Sequence, residues 1–126
     1  MSKQIVNTPN APAAIGPYSQ AVKCGNFLFV SGQIPIDPAT GTLINGSIED
    51  ETHRVMKNLN AILEEAGSGF VNVLKATIFI KNMNDFARIN EVYASYFSGN
   101  YPARETVEVA RLPKNVNVEI SVIAVV

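Results

Sequence analysis

Apolar residues recur along the chain with two different periods, one typical of strands and the other typical of helices. Positions 27–30 form a short apolar run. Positions 72–81 form a second strand-like run, in which successive side chains point to opposite faces. Two further strand-like runs cover 104–110 and 117–125, and the turn between them contains Pro113. These four segments are the predicted strands of a sheet.

Apolar spacings of three and four predict two helices between these runs. The first helix starts at Ser47, which is followed by acidic residues, and it ends near Gly67. The second starts at Asn82 or Asn84 and ends at Gly99. The element order is therefore strands, helix, strand, helix, strand, strand. This order predicts an α+β fold in which two helices cover one face of the sheet.

The second face of the predicted sheet is also apolar. Positions 122–126 are apolar on both faces of the last strand, and Phe79 points away from Ile78 and Ile80. Two helices can cover only one face, so the other face needs a different cover. We expect a partner subunit, and therefore a homo-oligomer, because exposed apolar patches often mark interfaces. A longer loop that folds over this face is the alternative.

Composition and charge limit the class of protein. The 126 residues predict a single domain that spans 1–126, and the 47% of apolar residues argues against disorder. A net charge of −1 without a basic block argues against a nucleic-acid-binding face. Cys24 is the single cysteine, which fits a reducing compartment, and no apolar run predicts a membrane span or a signal peptide. A cytoplasmic location is expected.

Arg104 and Glu119 are the most informative charged residues. A guanidinium is a planar fork that matches a carboxylate with two parallel hydrogen bonds, and a nearby glutamate can handle a water or a proton. If the runs 104–110 and 117–125 pair as a hairpin, strand parity places both side chains on one face. This pair would then suit a small carboxylate ligand. An ion pair on a wet surface, which would add little stability, is the alternative.

Other polar residues carry weaker indications. His53 lies off the apolar stripe of the first helix, so we expect it to be a solvated helix position. One histidine and one cysteine cannot form a zinc-type ligand set. Tyr18 follows a Gly-Pro pair and could point its hydroxyl into a cleft or anchor the loop.

Four stretches of the chain resemble one known family, the Rid family, and most closely its RidA type. These reactive intermediate deaminases were formerly called the YjgF group. The resemblance covers essentially the whole chain. It is carried by NAPAAIGPYSQ at 10–20, SGQIP at 31–35, NDF at 84–86 with Asn90, and PAR at 102–104 followed by VEVARLP at 107–113.

The resemblance implies a chorismate-mutase-like fold with a mixed β-sheet, and a homotrimer with a ligand site in each cleft between subunits. It implies a 2-iminobutanoate/2-iminopropanoate deaminase, which hydrolyses 2-aminoacrylate and 2-aminocrotonate to 2-oxo acids and ammonia without a cofactor or metal. Pyridoxal-phosphate enzymes such as serine/threonine dehydratases release these intermediates. The alternatives are a regulatory trimer that binds 2-oxo acids or amino acids and, less favoured by the charge, an endoribonuclease that inhibits translation.

The same resemblance implies roles for individual residues. Arg104 would bind the substrate carboxylate, and Glu119 would hold and orient the attacking water. Thr106 stands where the family usually has a cysteine, so any role of a thiol is lost. The backbone N–H at this position could still meet the carboxylate. The residues that would line the cleft are Tyr18, Ser31, Gly32 and Asn90.

Overall fold

The computed structural model describes residues 2–126, and its element order confirms the predicted α+β class. Three short 3₁₀ helices, at Phe70–Asn72, Met83–Asp85 and Pro113–Asn115, join the main elements. The main elements are β1 (Lys3–Val6), β2 (Ala21–Cys24), β3 (Phe27–Gln33), α1 (Ile48–Glu65), β4 (Val73–Ile80), α2 (Phe86–Ala94), β5 (Ala103–Glu108) and β6 (Val118–Val125).

The six strands form one mixed sheet in the order β1-β2-β3-β6-β4-β5. Every neighbouring pair is antiparallel except β4 and β5, which are parallel and are connected through α2. The strands β1 and β2 were not predicted, because both are only four residues long and β1 is mostly exposed. Neither α-helix is long and apolar enough to cross a membrane, among the residues that the structure describes.

The predicted hairpin of 104–110 with 117–125 is wrong. Strand β4 lies between β5 and β6 and is hydrogen-bonded to both. Residues in register on neighbouring strands share a face, and Ala76 of β4 is in register with Arg104 on one side and Val122 on the other. Phe79 is in register with Glu119 instead. Arg104 and Glu119 therefore lie on opposite faces of the sheet.

Burial explains why β4 takes the central position. Its residues Ala76, Ile78 and Ile80 are at most 1% exposed, so this strand needs a neighbour along each edge. Five of the six residues of β5 are exposed, and a polar strand of this kind suits the edge of a sheet. The two C-terminal strands are therefore neighbours in the sequence but not in the sheet.

The core lies between the two helices and one face of the sheet, which we call the helix-covered face. Ser47 caps α1, because its hydroxyl accepts a hydrogen bond from the Asp50 N–H at 3.0 Å. The stripe of α1 then packs on alternate strand residues. Buried members of this core include Val55, Leu59, Ile62 and Leu63 of α1, Leu28 and Val30 of β3, and Val118, Ile120, Val122 and Ala124 of β6.

The opposite face of the sheet, the outer face, carries the intervening strand residues Phe27, Phe29, Phe79, Val107, Glu119 and Ile123. Phe27 and Phe29 remain 49% and 47% exposed, so no loop of the described chain covers them. The sequence-based expectation of a second apolar face is therefore confirmed.

Candidate active site

Arg104 projects from the edge strand β5 toward α2. Its Nη1 donates a hydrogen bond to Oδ1 of Asn90 at 2.6 Å. Its Cζ lies 5.6 Å from the ring centroid of Phe86 and 5.2 Å from that of Tyr93, which are cation–π distances. The second helix therefore orients the guanidinium from three positions. Spacings of three and four residues place one row of side chains on the same side of α2, namely Phe86, Ile89, Asn90 and Tyr93.

A cavity of about 460 Å³ opens beside this guanidinium. Within residues 2–126, no carboxylate forms an ion pair with Arg104. The donors that Asn90 does not occupy are therefore available to an anionic ligand. The cavity is lined by Asn90, Tyr93, Ala94, Tyr101, Pro102 and Arg104.

Two buried hydroxyls lie near Arg104 without a hydrogen-bond partner among the described residues. They are the Oη of Tyr93 and the Oγ1 of Thr106. Buried polar atoms are normally bonded, so a pair of unpartnered hydroxyls is unusual. Burial raises the pKa of Tyr93, and the nearby Arg104 charge opposes that shift only partly, so the phenol stays protonated. Thr106 shares the strand face of Arg104.

Glu119 occupies the outer face of β6, directly against Gly32 of β3. A Cβ atom built on Gly32 would overlap Oε2 of Glu119 and lie 2.8 Å from its Cδ. Only glycine leaves room for this carboxylate. Burial raises the pKa of Glu119, because the charged form loses part of its hydration.

Ser31 and Gly32 interrupt the regular pairing of β3 with β6, since the register shifts between Val30 and Gln33. The Ser31 hydroxyl donates to the backbone carbonyl of Ser19 at 2.6 Å, and the Ser31 N–H donates to the carbonyl of Gln20 at 2.9 Å. These bonds attach the segment after Tyr18 to the irregular part of β3. Tyr18 itself is 54% exposed.

Gln20 orders the loop that leads to Tyr18. Its buried carboxamide accepts from the Thr8 N–H at 2.7 Å and donates to the carbonyls of Thr8 and Pro12 at 3.0 and 2.9 Å. One side chain therefore bonds to both Thr8 and Pro12 of this loop. Sequence reasoning missed this role, because a lone glutamine gives no periodic signal.

The predicted site residues fall into two groups within one chain. Arg104, Asn90 and Thr106 lie at the β5 edge beside α2, whereas Gly32 and Glu119 lie together on the outer face. The structure does not bring the two groups together on one face. Sequence reasoning also missed Tyr93 and Tyr101 as cavity residues, because Tyr93 follows the apolar stripe of α2 and resembles a core residue.

His53 is less solvated than the sequence-based expectation of a solvated helix position. Its side chain is half-buried, with Nδ1 lying 2.8 Å from the Oη of Tyr96 and the two ring centroids 5.7 Å apart. The turn after α2 returns Tyr96 to α1, and this long-range contact leaves no sequence pattern. No cluster of three or more His, Cys, Asp and Glu side chains able to hold a metal ion occurs within residues 2–126.

Comparison with known proteins assigns this chain to a family. The model of the Endoribonuclease L-PSP family matches residues 8–126. A RutC family protein of Pyrococcus horikoshii is 57% identical over 122 residues, which cover 97% of each chain. A crystal structure of a Rid family protein from Yersinia pestis has a TM-score of 0.97 and 51% identity, and the match covers 99% of this chain and 100% of that one.

The chain therefore belongs to the Rid family, as its motifs predicted. A mouse relative, named 2-iminobutanoate/2-iminopropanoate deaminase, is 46% identical over 123 residues, which cover 98% of this chain and 91% of the mouse protein. Imine deamination is thus an activity attributed to relatives across nearly the full length of the chain.

Proposed function

We propose that this protein hydrolyses 2-imino acids such as 2-iminopropanoate and 2-iminobutanoate to 2-oxo acids and ammonia. The observation that carries the proposal is Arg104, whose guanidinium is held by Asn90 beside a cavity without an acidic partner in the described chain. Such an arginine suits the carboxylate common to these substrates. The deaminase name of the mouse relative supports the same reaction.

The two groups of site residues would meet between subunits. Arg104 and Glu119 lie on opposite faces of their own sheet, so one chain cannot present both to a small substrate. The β5 edge of one copy would have to reach the outer face of a second copy. We propose a homotrimer with three such sites, which would also cover Phe27 and Phe29.

In this arrangement Arg104 binds the carboxylate and thereby fixes the position of C2. The enamine form tautomerises to the imine, whose C2 is already electrophilic. Glu119 of the adjacent copy accepts a proton from water as the water oxygen bonds to C2, and it passes that proton to the imine nitrogen, which gives a carbinolamine. Glu119 then takes the hydroxyl proton and delivers it to the amine nitrogen, so that the C–N bond breaks, ammonia leaves and the C=O bond forms.

The environment of Glu119 suits this proton transfer. Burial raises the pKa of the carboxyl group, which makes its ionised form a better base than an exposed glutamate. Gly32 leaves space for the carboxylate that would hold the water. Tyr18 and Ser31 would line the Glu119 side of the cleft, and Asn90 and Thr106 the Arg104 side. Fixing both reactants supplies orientation, which is most of what a reactive imine requires.

The first test couples the protein to a serine/threonine dehydratase and measures the release of pyruvate or 2-oxobutyrate. Arg104→Ala removes about two charge-assisted bonds of ~1.5–3 kcal/mol each, so kcat/KM should fall about a hundredfold or more. Arg88→Ala is the matched control, because this exposed arginine of α2 pairs with Glu49 away from the cavity. Normal turnover by Arg104→Ala would contradict the proposal.

The same assay separates the alternatives. Tight binding of 2-oxobutyrate without acceleration would favour a regulatory trimer, because Arg104 could capture a carboxylate without chemistry. The description of the family names an endoribonuclease, so cleavage of single-stranded RNA should be measured in parallel. The net charge of −1 gives that activity little electrostatic support.

A further inference from the structure

A second polar groove lies between α1 and the turn that follows α2. Its volume is about 540 Å³, and it shares no lining residue with the Arg104 cavity. It belongs to the helix-covered side of the molecule, so an assembly through the outer face would leave it open. The groove is lined by Ile44, Asp50, His53, Arg54, Lys57 and Tyr96.

Arg54 is held in this groove by a buried side chain. Its Nε donates to Oδ1 of Asn58 at 3.1 Å. Asn58 is 0% exposed, and its Nδ2 donates to the carbonyls of Ile36 at 2.9 Å and Ile34 at 3.3 Å. These two bonds fix the amide, so its oxygen has to face the arginine. A fully buried asparagine thus orients one edge of the guanidinium and leaves the Nη groups for another ligand.

The Nη groups of Arg54 have no acidic partner among residues 2–126. Within the part of the chain that the structure describes, neither Arg54 nor Lys57 forms an ion pair. By contrast, Arg88 on α2 forms a bidentate ion pair with Glu49, with bonds of 2.8 and 2.6 Å. Asp50 also borders the groove, but its Oδ2 lies near Gly46, only 3.1 Å from where a Cβ of that glycine would be. The lining therefore carries one more positive charge than negative.

His53 adds a third donor. Tyr96 fixes the imidazole through the 2.8 Å contact to Nδ1, and burial raises the pKa of Tyr96, so the phenol keeps its proton. When the phenol donates to Nδ1, the proton of a neutral imidazole resides on Nε2. When the imidazole is charged, Nε2 carries a proton as well. Lys57 lies one turn further along the same helix face.

We propose that this groove binds a phosphate group, either as the free ion or as a small monoester. Three donor side chains of different length converge on one space, which suits a tetrahedral oxyanion with several acceptor atoms. Tyr96 and Ile44 add an apolar wall that would hold the organic part of an ester. The site is separate from that of the proposed imine hydrolysis, because none of its lining residues also lines the Arg104 cavity.

The test uses the imidazole of His53, which is the single histidine among 126 residues and therefore gives unambiguous ring resonances. Inorganic phosphate and phenyl phosphate are titrated separately into the intact protein at constant pH and ionic strength. Each should shift the His53 resonances with saturation at a dissociation constant of about 1 mM or below. Tighter binding of phenyl phosphate would identify a monoester as the ligand, and equal affinity would identify the free ion.

Two variants locate the binding. Arg54→Gln should weaken phosphate binding about tenfold or more, because it removes charge-assisted hydrogen bonds. Arg111→Gln, which changes an exposed arginine that does not line the groove, should not alter it. Arg104→Ala should also leave it unchanged, which excludes capture of phosphate in the first cavity. The proposal is overturned if neither probe gives a saturable shift, or if Arg54→Gln binds phosphate as the native protein does.

Discussion

The Arg104 and Glu119 regions are built in opposite ways. Arg104 lies on an exposed edge strand and is oriented by side chains of α2, including Asn90 at 2.6 Å. Glu119 lies on a central strand, where the absence of a side chain at Gly32 makes its space. The Arg104 region depends on side-chain contacts, whereas the Glu119 region depends on the missing side chain at Gly32. Each should therefore respond to a different kind of substitution.

Loss of the Glu119 carboxylate should give the largest effect. Glu119→Gln retains shape but cannot accept the proton of water, so kcat should fall by roughly 10²–10⁴-fold. Dehydratase-coupled release of 2-oxobutyrate measures this fall. Mixing denatured Glu119→Gln and Arg104→Ala chains in equal amounts and refolding them together should then restore activity. About a quarter of the sites in random trimers would contain both native groups. No recovery on mixing would place both groups in one subunit and contradict the intersubunit site.

Gly32→Ala should have the next largest effect. The new methyl group would overlap Oε2 of Glu119 and displace the carboxylate, and a displacement near 1 Å can cost about a hundredfold in rate. Gly69→Ala is the matched control, because a Cβ atom there meets nothing within 4 Å. Steady-state kinetics of both variants check this prediction. If Gly32→Ala were fully active, the space beside Glu119 would not matter for the reaction.

Asn90→Ala tests the Arg104 region by removing a support and leaving the guanidinium in place. Without its 2.6 Å partner the arginine samples other rotamers, so KM for the imine should rise about tenfold with a smaller change in kcat. Asn60→Ala, which removes an exposed hydrogen bond to Glu64 within α1, provides the control. An unchanged KM would mean that Phe86 and Tyr93 suffice to orient Arg104.

The smallest effect concerns stability and pH. Burial raises the folded-state pKa of Glu119 above its unfolded value, so the folded protein binds more protons between those two values. The free energy of unfolding of the native protein therefore falls as pH rises through this window. The free energy of unfolding of Glu119→Gln does not fall in this way, because glutamine does not ionise. The stability of this variant relative to the native protein should therefore increase from pH 4 to pH 7. Denaturant unfolding at both pH values measures the difference, and the opposite trend would contradict the effect of burial.

Local patterns predicted much of the fold. The Ser47 cap, the stripe of α1 and the alternation of β6 all appear as expected, because each depends on residues close together in sequence. The short strands β1 and β2 escaped detection, since each has only four residues and neither alternates in burial. For the candidate site, motifs and parity singled out Arg104 and Glu119, but the role of each stays a prediction.

The sequence by itself determined which residues alternate, where α1 begins and that the sheet has a second apolar face. These properties follow from the periods of the helix and the strand, which are local. Only the tertiary structure decided that β4 lies between β5 and β6, because strand order depends on contacts distant in sequence. That order places Arg104 and Glu119 on opposite faces and separates the two parts of the candidate site. The same kind of distant contact joins His53 to Tyr96.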